Sequence, residues 1–303
     1  MTDYPIVDCH VHTYQTAEMG RRDIELLGAV ERSGGQCGDI DDTLAAMKRH
    51  GVAKVIMANW LPVAGMRDAA MLRLPVGLPD YEKAVREIEA GLAPRIERRN
   101  RWTCDMAEEH PQLFALISVD PVMDGKQMRA EILDKAKNHG AKGVKIQFAG
   151  QRLFPYDRRL WPAYEAVQEL DLALLAHSGR SESPTQYAEP KYFGEVLLRF
   201  PKLRLVLAHI GADFYDQARA LATKYPNVSF DCSGLLRPTH FKLSDKELVA
   251  LFRDIGVERI LFGSDFPVNN RSLALEHFFG LPLTEQEKRL IAGENAMRIY
   301  KLG

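Results

Sequence analysis

Five side chains of metal-ligand type stand at the ends of short apolar runs: His10 and His12 in "PIVDCHVH", His177 in "ALLAHSG", His209 in "RLVLAHIG" and Asp265 in "RILFGSD". In an extended segment residues two apart point the same way, so His10 and His12 share one face and Val11 takes the other. Imidazoles and a carboxylate form a borderline-hard donor set suited to Zn²⁺ or a similar divalent ion. A lone histidine at a strand end is ordinarily a hydrogen-bonded, half-buried residue, and a lone aspartate there ordinarily caps the next helix. The argument for a site rests on the coincidence of all five.

Such a site with one coordination position open suggests hydrolysis. Bound water falls in pKa from about 15.7 to ~7 and becomes a hydroxide at neutral pH. Asp265 would accept the water proton and return it to the leaving group, and the metal or His209 would polarise the carbonyl of a lactone, amide or ester. The alternative is non-oxidative decarboxylation of an aromatic or muconate-type acid, with the metal anchoring the carboxylate and Asp265 or His209 delivering a proton to carbon. That reaction needs cations for carboxylate recognition; Arg180 and Arg237 are candidates, although either is ordinarily a surface arginine. A third reading is a non-catalytic barrel that binds a ligand or a structural metal, but a structural zinc has a closed four-ligand shell and leaves His209 spare.

Further polar residues surround this set. Lys145, in "GVKIQ", shares a face with Gln147, and a buried ammonium is costly unless paired, neutral or chemically modified. It would pair with Asp8 or Asp120, bind substrate, or be carbamylated and bridge two metals. Tyr14, Trp60, Gln147, Gln151, Tyr156 and Arg180 are the candidates for a pocket with aromatic walls and polar anchors, each with an equally ordinary packing or surface role. His50, His110, His139 and His277 fall near helix ends or in loops and have no claim on the site. His240 follows the seventh run and is within reach of it, though exposure is the ordinary expectation.

The elements that would position these residues recur along the chain. Eight runs rich in β-branched residues begin at Pro5, Lys54, Phe114, Gly143, Ala173, Arg204, Val228 and Arg259. Between them lie amphipathic stretches such as "DDTLAAMKRHG" and "DKELVALFRDIG", which often finish at Gly, a helix C-terminal signal. Eight such units in 303 residues fit a (β/α)8 TIM barrel, usually ~250 residues before insertions, with an open doubly wound sheet as the competing layout. In the barrel the strand C-termini converge on one face, where active sites are built. The expectation is one barrel over residues 1–303 with an insertion at about 61–111, opening on the Pro/Gly-punctuated "LPVAGMRDAAMLRLPVGLPD" and continuing into helix. The tail after Arg271 carries a capping signal at Thr284 and reads as a closing helix.

Composition narrows the partners. The chain is 46% hydrophobic and 27% charged with a net charge of −1, which offers no electrostatic footprint for nucleic acid or an anionic membrane. No run of eighteen apolar residues and no signal-peptide pattern occurs, so a small-molecule substrate and a cytoplasmic location are expected. Four scattered cysteines, Cys9, Cys37, Cys104 and Cys232, read as buried, reduced thiols. No G-x-G-x-x-G or Walker pattern points to a nucleotide.

Taken together, "DCHVH", "GAKGVKIQ" with "QRLFPYD", "LLAHSG", "LVLAHIGA" and "RILFGSDFPV" resemble the amidohydrolase superfamily. The nearest branch in pattern holds aminocarboxymuconate semialdehyde decarboxylase, related aromatic acid decarboxylases, and dicarboxylate lactonases and hydratases. The resemblance spans the first strand to the closing helix but leaves Leu61 to Pro111 unmatched. It implies a distorted (β/α)8 barrel with one divalent metal, Zn or else Mn or Fe, held by His10, His12, His177 and Asp265. His209 would act beside that metal, and Lys145, Gln147, Tyr156 and Arg180 would contact substrate. Other branches of the superfamily carry a carbamylated lysine at the position matching Lys145 and bind a second metal; one metal is the favoured count. The resemblance also makes a homodimer plausible.

Overall fold

The computed structural model describes residues 2–181, 184–236 and 243–303. The eight apolar runs form eight parallel strands: β1 (Ile6–Val11), β2 (Val52–Ala58), β3 (Leu113–Ser118), β4 (Gly143–Ile146), β5 (Ala173–Ala176), β6 (Arg204–Leu207), β7 (Val228–Asp231) and β8 (Ile260–Leu261). Neighbours in sequence are neighbours in the sheet. β1 closes on the chain that follows β8, where Cys9 N–H donates to the Phe262 carbonyl at 3.0 Å and Asp265 N–H to the His10 carbonyl at 2.9 Å. Closure decides for the barrel against the open sheet, because no edge remains between first and last strand.

Strand alternation sorts the apolar side chains into two layers. Val7, Cys9, Ile56, Leu116, Leu175, Val206 and Leu261 form one cluster with Ile299 and Tyr300 of the closing segment. Ile6, Val11, Met57, Val144, Leu174, Leu205 and Phe230 belong to the larger layer shared with the helices. The first is the barrel interior, and the second is the shell between strands and helices. All four cysteines are free and buried, as their spacing suggests.

The long interval after β2 folds into helices Val63–Met71, Tyr81–Ala90 and Ala93–Glu109. The last starts with Pro94 in its first turn, where a missing N–H costs nothing. It is fastened to β3 by a buried amide. Asn100 Nδ2 donates to the Ser118 carbonyl at 2.9 Å and to Glu131 Oε1 at 3.0 Å, while Ser118 N–H donates to Asn100 Oδ1 at 2.8 Å. This helix is therefore the crossover of the second βα unit, and the added chain precedes it. The tail is capped at Thr284, whose hydroxyl accepts from Glu287 N–H while the Glu287 side chain reaches back. A π-helical turn, Leu290–Glu294, separates its two helical pieces.

Candidate metal centre

The β1–β2 register shifts between Asp8 and Val11, the mark of a bulge. Cys9 packs in the interior while Val11, two residues on, packs in the outer shell, so the alternation changes between them. Past this bulge His10 and His12 converge, their rings 5.1 Å apart and edge-on. Each has its Nδ1–H engaged away from the centre: His10 donates to Asp231 Oδ2 at 2.9 Å, and His12 to the Ala58 carbonyl at 3.0 Å. That leaves Nε2 of both rings facing Asp265 Oδ1, at 3.8 Å from His10 and 3.3 Å from His12.

Asp265 and His209 reach the centre by a backbone turn that strand alternation alone does not supply. In β6, Val206 and Ala208 point inward, so His209 would face out; it lies instead at φ 58°. Asp265 lies at φ 61°. Left-handed backbone at non-glycine residues costs about 1–3 kcal/mol each and collects at functional sites. At Gly263, two residues before Asp265, no side chain fits: a Cβ would stand 2.9 Å from His10 Cβ and 3.1 Å from Ser233 Cβ. Asn269 Nδ2 donates to Asp265 Oδ2 at 3.0 Å. Asp265 does not cap the following helix; Asn270 does.

Asp231, which ends β7, joins the two sides of the site. Besides accepting from His10, its Oδ1 accepts the backbone N–H of His209 at 3.1 Å and that of Ser233 at 3.0 Å. The Ser233 hydroxyl also donates to it. His209 donates its Nδ1–H to the Ser233 carbonyl at 2.9 Å and stacks on His10 with ring centroids 5.2 Å apart. Asp231, Ser233 and Asn269 were not singled out from sequence. The signal for Asp231 was present, since it too is a polar residue ending an apolar strand in "VSFDCSG".

Burial and charge act together on these groups. His10 is pushed down to about 4, first by burial and then by the Lys145 charge. His177 is pushed well below the usual imidazole value by burial, then by His209, Lys145 and His10. Burial works to raise the two carboxylates, but the hydrogen bond of His12 and the charges of His10 and His209 hold Asp265 well below the carboxylate range. The attraction and hydrogen bond of His10, with His209 and Ser233, do the same for Asp231. Lys145 is fully inside the barrel and pushed down to about 8 by burial. It pairs with neither Asp8 nor Asp120, contrary to the expectation of such a pair. Asp8 accepts from Arg271 Nε at 2.9 Å and from Ser264 N–H at 2.8 Å, and Asp120 from Gln151 Nε2 at 2.9 Å. Lys145 Nζ instead donates to His10 Nε2 at 3.2 Å.

These residues fit a divalent cation. A histidine whose Nδ1–H is fixed by a carbonyl or carboxylate presents a neutral Nε2 lone pair, the arrangement that orients metal-ligating imidazoles. Two such lone pairs face an anionic carboxylate, with Lys145 Nζ beside His10 Nε2. Ligand atoms of His10, His12 and Asp265 all lie within 4.8 Å of one another, as do those of His10, His209 and Asp231. His177 joins neither group; its ring lies against His209, with centroids 5.0 Å apart.

The remaining candidates divide between rim and cavity. Gln147 caps a short turn, its side chain accepting from Gly150 N–H at 3.3 Å, and Gln151 is buried on the Val119 carbonyl. Tyr156 stacks on Phe154, centroids 5.1 Å apart, beside Tyr192. Arg180 sits on the exposed rim, 3.6 Å from Asp213. Arg237 and His240 lie outside the described residues. His277 pairs with Asp245 at 2.8 Å, and His139 lies 3.6 Å from Asp134, so both are engaged elsewhere. Tyr14 and Trp60 line a cavity of about 560 Å³ between the loops after β1 and β2 and helix Ala93–Glu109. No described helix is long and apolar enough to cross a membrane.

Comparison with known proteins bears on the chemistry. The model of the family described as Amidohydrolase matches residues 7–302. A gamma-resorcylate decarboxylase of Rhizobium radiobacter is 23% identical, covering 87% of this chain and 88% of its own. Among solved structures, the 5-carboxyvanillate decarboxylase of Sphingomonas paucimobilis superposes with TM-score 0.69 at 18% identity, over 99% of this chain and 100% of that one. The dihydroxybenzoic acid decarboxylase of Polaromonas sp. JS666, solved with bound manganese and 2-nitroresorcinol, gives TM-score 0.69 at 17% identity, over 99% of this chain and 97% of that one. The expectation of hydrolysis is thereby overturned, because the relatives matched along the chain are decarboxylases. That expectation rested on hydrolysis needing nothing beyond the metal set, and a Lewis-acid site that can hold water can equally hold a carboxylate.

Proposed function

This chain belongs to the amidohydrolase family, and we propose that within it the protein is a metal-dependent decarboxylase of an aromatic carboxylic acid. The observation that carries this reading is the match to gamma-resorcylate decarboxylases along 87% of the chain. His10, His12 and Asp265 would hold one divalent ion, with His177 as the fourth candidate ligand. The imidazole and carboxylate donors accept manganese, which the Polaromonas structure carries, as well as zinc. When bound, the ion supplies a Lewis acid that anchors the substrate carboxylate and an adjacent oxygen.

The chain's own residues do the rest. His209 is locked by the Ser233 carbonyl on one nitrogen, which leaves Nε2 free to hold a proton at the mouth of the centre. Either His209 or, once it has taken up a proton from solvent, Asp265 delivers a proton to the ring carbon that bears the carboxylate. The carbon–carbon bond then breaks, its electron pair restores the aromatic ring, and CO₂ leaves. Lys145, buried beside His10, contributes positive charge toward the anionic substrate. Gln147, Tyr156 and Arg180 are second-rank contacts, since each has another partner.

The test is direct. Purified protein loaded with manganese or zinc is given 2,6-dihydroxybenzoate, 5-carboxyvanillate and simpler benzoates, and CO₂ is measured against loss of the acid. Equal amounts of CO₂ released and acid consumed, abolished by a chelator and restored by metal, is the expected result. Acid release from lactones or esters with no CO₂ from any aromatic acid would sink the reading.

A further inference from the structure

Among the described residues Arg271 is the largest side chain that is fully buried. Three features make a cation unfavourable there. It is removed from water, it occupies the first turn of helix Arg271–Gly280, whose N-terminus repels positive charge, and its Nη1 and Nη2 have no acceptor among the described residues. Two contacts offset this: Nε donates to Asp8 Oδ2 at 2.9 Å, and the guanidinium lies 4.1 Å from the centroid of the Phe266 ring. Asp8 is itself fully buried. A buried ion pair of this kind is often no more stable than apolar residues of similar volume, so stability alone does not account for it.

What the pair holds in place does account for it. The Asp8 carboxylate reaches from β1 to the turn that carries Asp265. Its Oδ1 accepts Ser264 N–H at 2.8 Å, and its Oδ2 accepts the Ser264 hydroxyl at 2.5 Å. That hydroxyl oxygen in turn accepts Phe266 N–H at 3.1 Å. Asp265 N–H, between them, donates to the His10 carbonyl at 2.9 Å. Three successive N–H groups, those of Ser264, Asp265 and Phe266, are thus fixed from β1, two of them through one carboxylate. In this turn Asp265 stands at φ 61°, a backbone state that a residue with a side chain keeps only when its surroundings hold it. Asp8 Oδ1 also accepts His10 N–H, at 3.5 Å, so the same group touches the backbone of both ligand-bearing segments.

We propose that Arg271 is a positioning residue for the metal centre: it fixes the Asp8 carboxylate, and Asp8, directly and through the Ser264 hydroxyl, holds the turn that brings Asp265 Oδ1 up to His10 and His12. The proposal rests on the reading of Asp265 as a metal ligand and is independent of which bond the enzyme breaks.

The experiment separates metal affinity from stability. Wild type, Arg271→Met, Arg271→Lys, Ser264→Ala and Asn295→Ala are compared in three measurements. Zinc affinity is read by competition with a chromophoric chelator, ligand geometry by the visible spectrum of cobalt-loaded protein, and stability by urea denaturation of metal-free protein. Arg271→Met is expected to weaken zinc binding about tenfold, as loss of an outer partner does, and to shift the cobalt bands. Arg271→Lys keeps the charge and a donor toward Asp8, and should stay within about threefold of wild type. Should Arg271→Met not fold, Ser264→Ala removes the hydroxyl link without leaving a buried charge unpaired, and should weaken binding about threefold. Asn295→Ala is the control. Its amide donates to the Val257 and Ile260 carbonyls at 2.7 Å, at the start of β8, so stability should fall while zinc affinity and the cobalt spectrum hold. Unchanged affinity and spectrum in folded Arg271→Met, or in Ser264→Ala where that variant does not fold, overturns the proposal, as does an equal loss of affinity in Asn295→Ala. A wild type that binds neither ion overturns the ligand set, and the proposal with it.

Discussion

At the ends of β1, β6 and β7, His10, His12 and His209 each have Nδ1–H held by a fixed oxygen, and the Asp231 carboxylate accepts from an imidazole, two backbone amides and a hydroxyl. On helix Ala93–Glu109, Arg99 donates one N–H to the Thr13 carbonyl and leaves two without acceptor, and Arg22, Arg95 and Arg98 around the adjoining cavity form no ion pair among the described residues. The first region is preorganised for one small cation, whose ligands must keep their geometry before it arrives. The second carries charge without such geometry: its half-buried guanidinium is fixed by a carbonyl and two aromatic rings, and its other cations are exposed. A shell of engaged donors points to orientation, and a set of exposed cations does not.

The largest effect should come from breaking the first region at its centre. Asp265→Asn removes the anion toward which both Nε2 atoms point. We expect bound metal to fall to background and CO₂ release to drop by more than the ~100-fold associated with outer partners of a metal site. Retention of full metal occupancy in this variant, measured by elemental analysis of the folded protein, would remove Asp265 from the ligand set.

Asp231→Asn tests the outer layer of the same region. Replacing the carboxylate weakens the hold on His10 Nδ1–H and disturbs the amides of His209 and Ser233. Metal affinity, measured by competition with a chromophoric chelator, is expected to fall about 10–100-fold, the usual loss for an outer partner. An affinity unchanged in the folded variant would mean that His10 keeps its orientation without this carboxylate.

The two regions also differ in how far sequence exposes them. The juxtaposition of His10, His12 and Asp265 is legible because a ligand-type residue ending an apolar run is a one-dimensional pattern, and closure of the barrel then brings strand ends together; His177 fits the same pattern but joins neither ligand group. The left-handed turns at His209 and Asp265, and the bulge in β1, are not visible that way, because alternation carries no record of where it is interrupted. Asp231 obeys the strand-end rule yet reads singly as a helix cap. Arg99 had no signal at all. Its meaning depends on how helix Ala93–Glu109 docks beside Thr13, and a run such as "IERRNRW" is by itself a solvated helical face. The preference for hydrolysis failed for a related reason: the ligands of a metal site do not state which oxygen it will hold.

The smallest effect concerns what keeps the second region in place. Among the links between the segment after β2 and the barrel, two differ sharply in burial. One is the exposed pair Arg152 Nη1 to Asp68 Oδ2 at 2.5 Å, between helix Val63–Met71 and the turn after β4, with side chains 51% and 39% exposed. The other is the buried Asn100 amide on β3. Solvent and salt screen the first, and such pairs contribute about 0–1 kcal/mol, whereas the second satisfies buried backbone groups of Ser118. Asp68→Asn should therefore lower stability by less than about 1 kcal/mol in urea denaturation and leave metal content unchanged. A larger loss would show that the segment after β2 is held by its rim as firmly as by the buried amide beneath it.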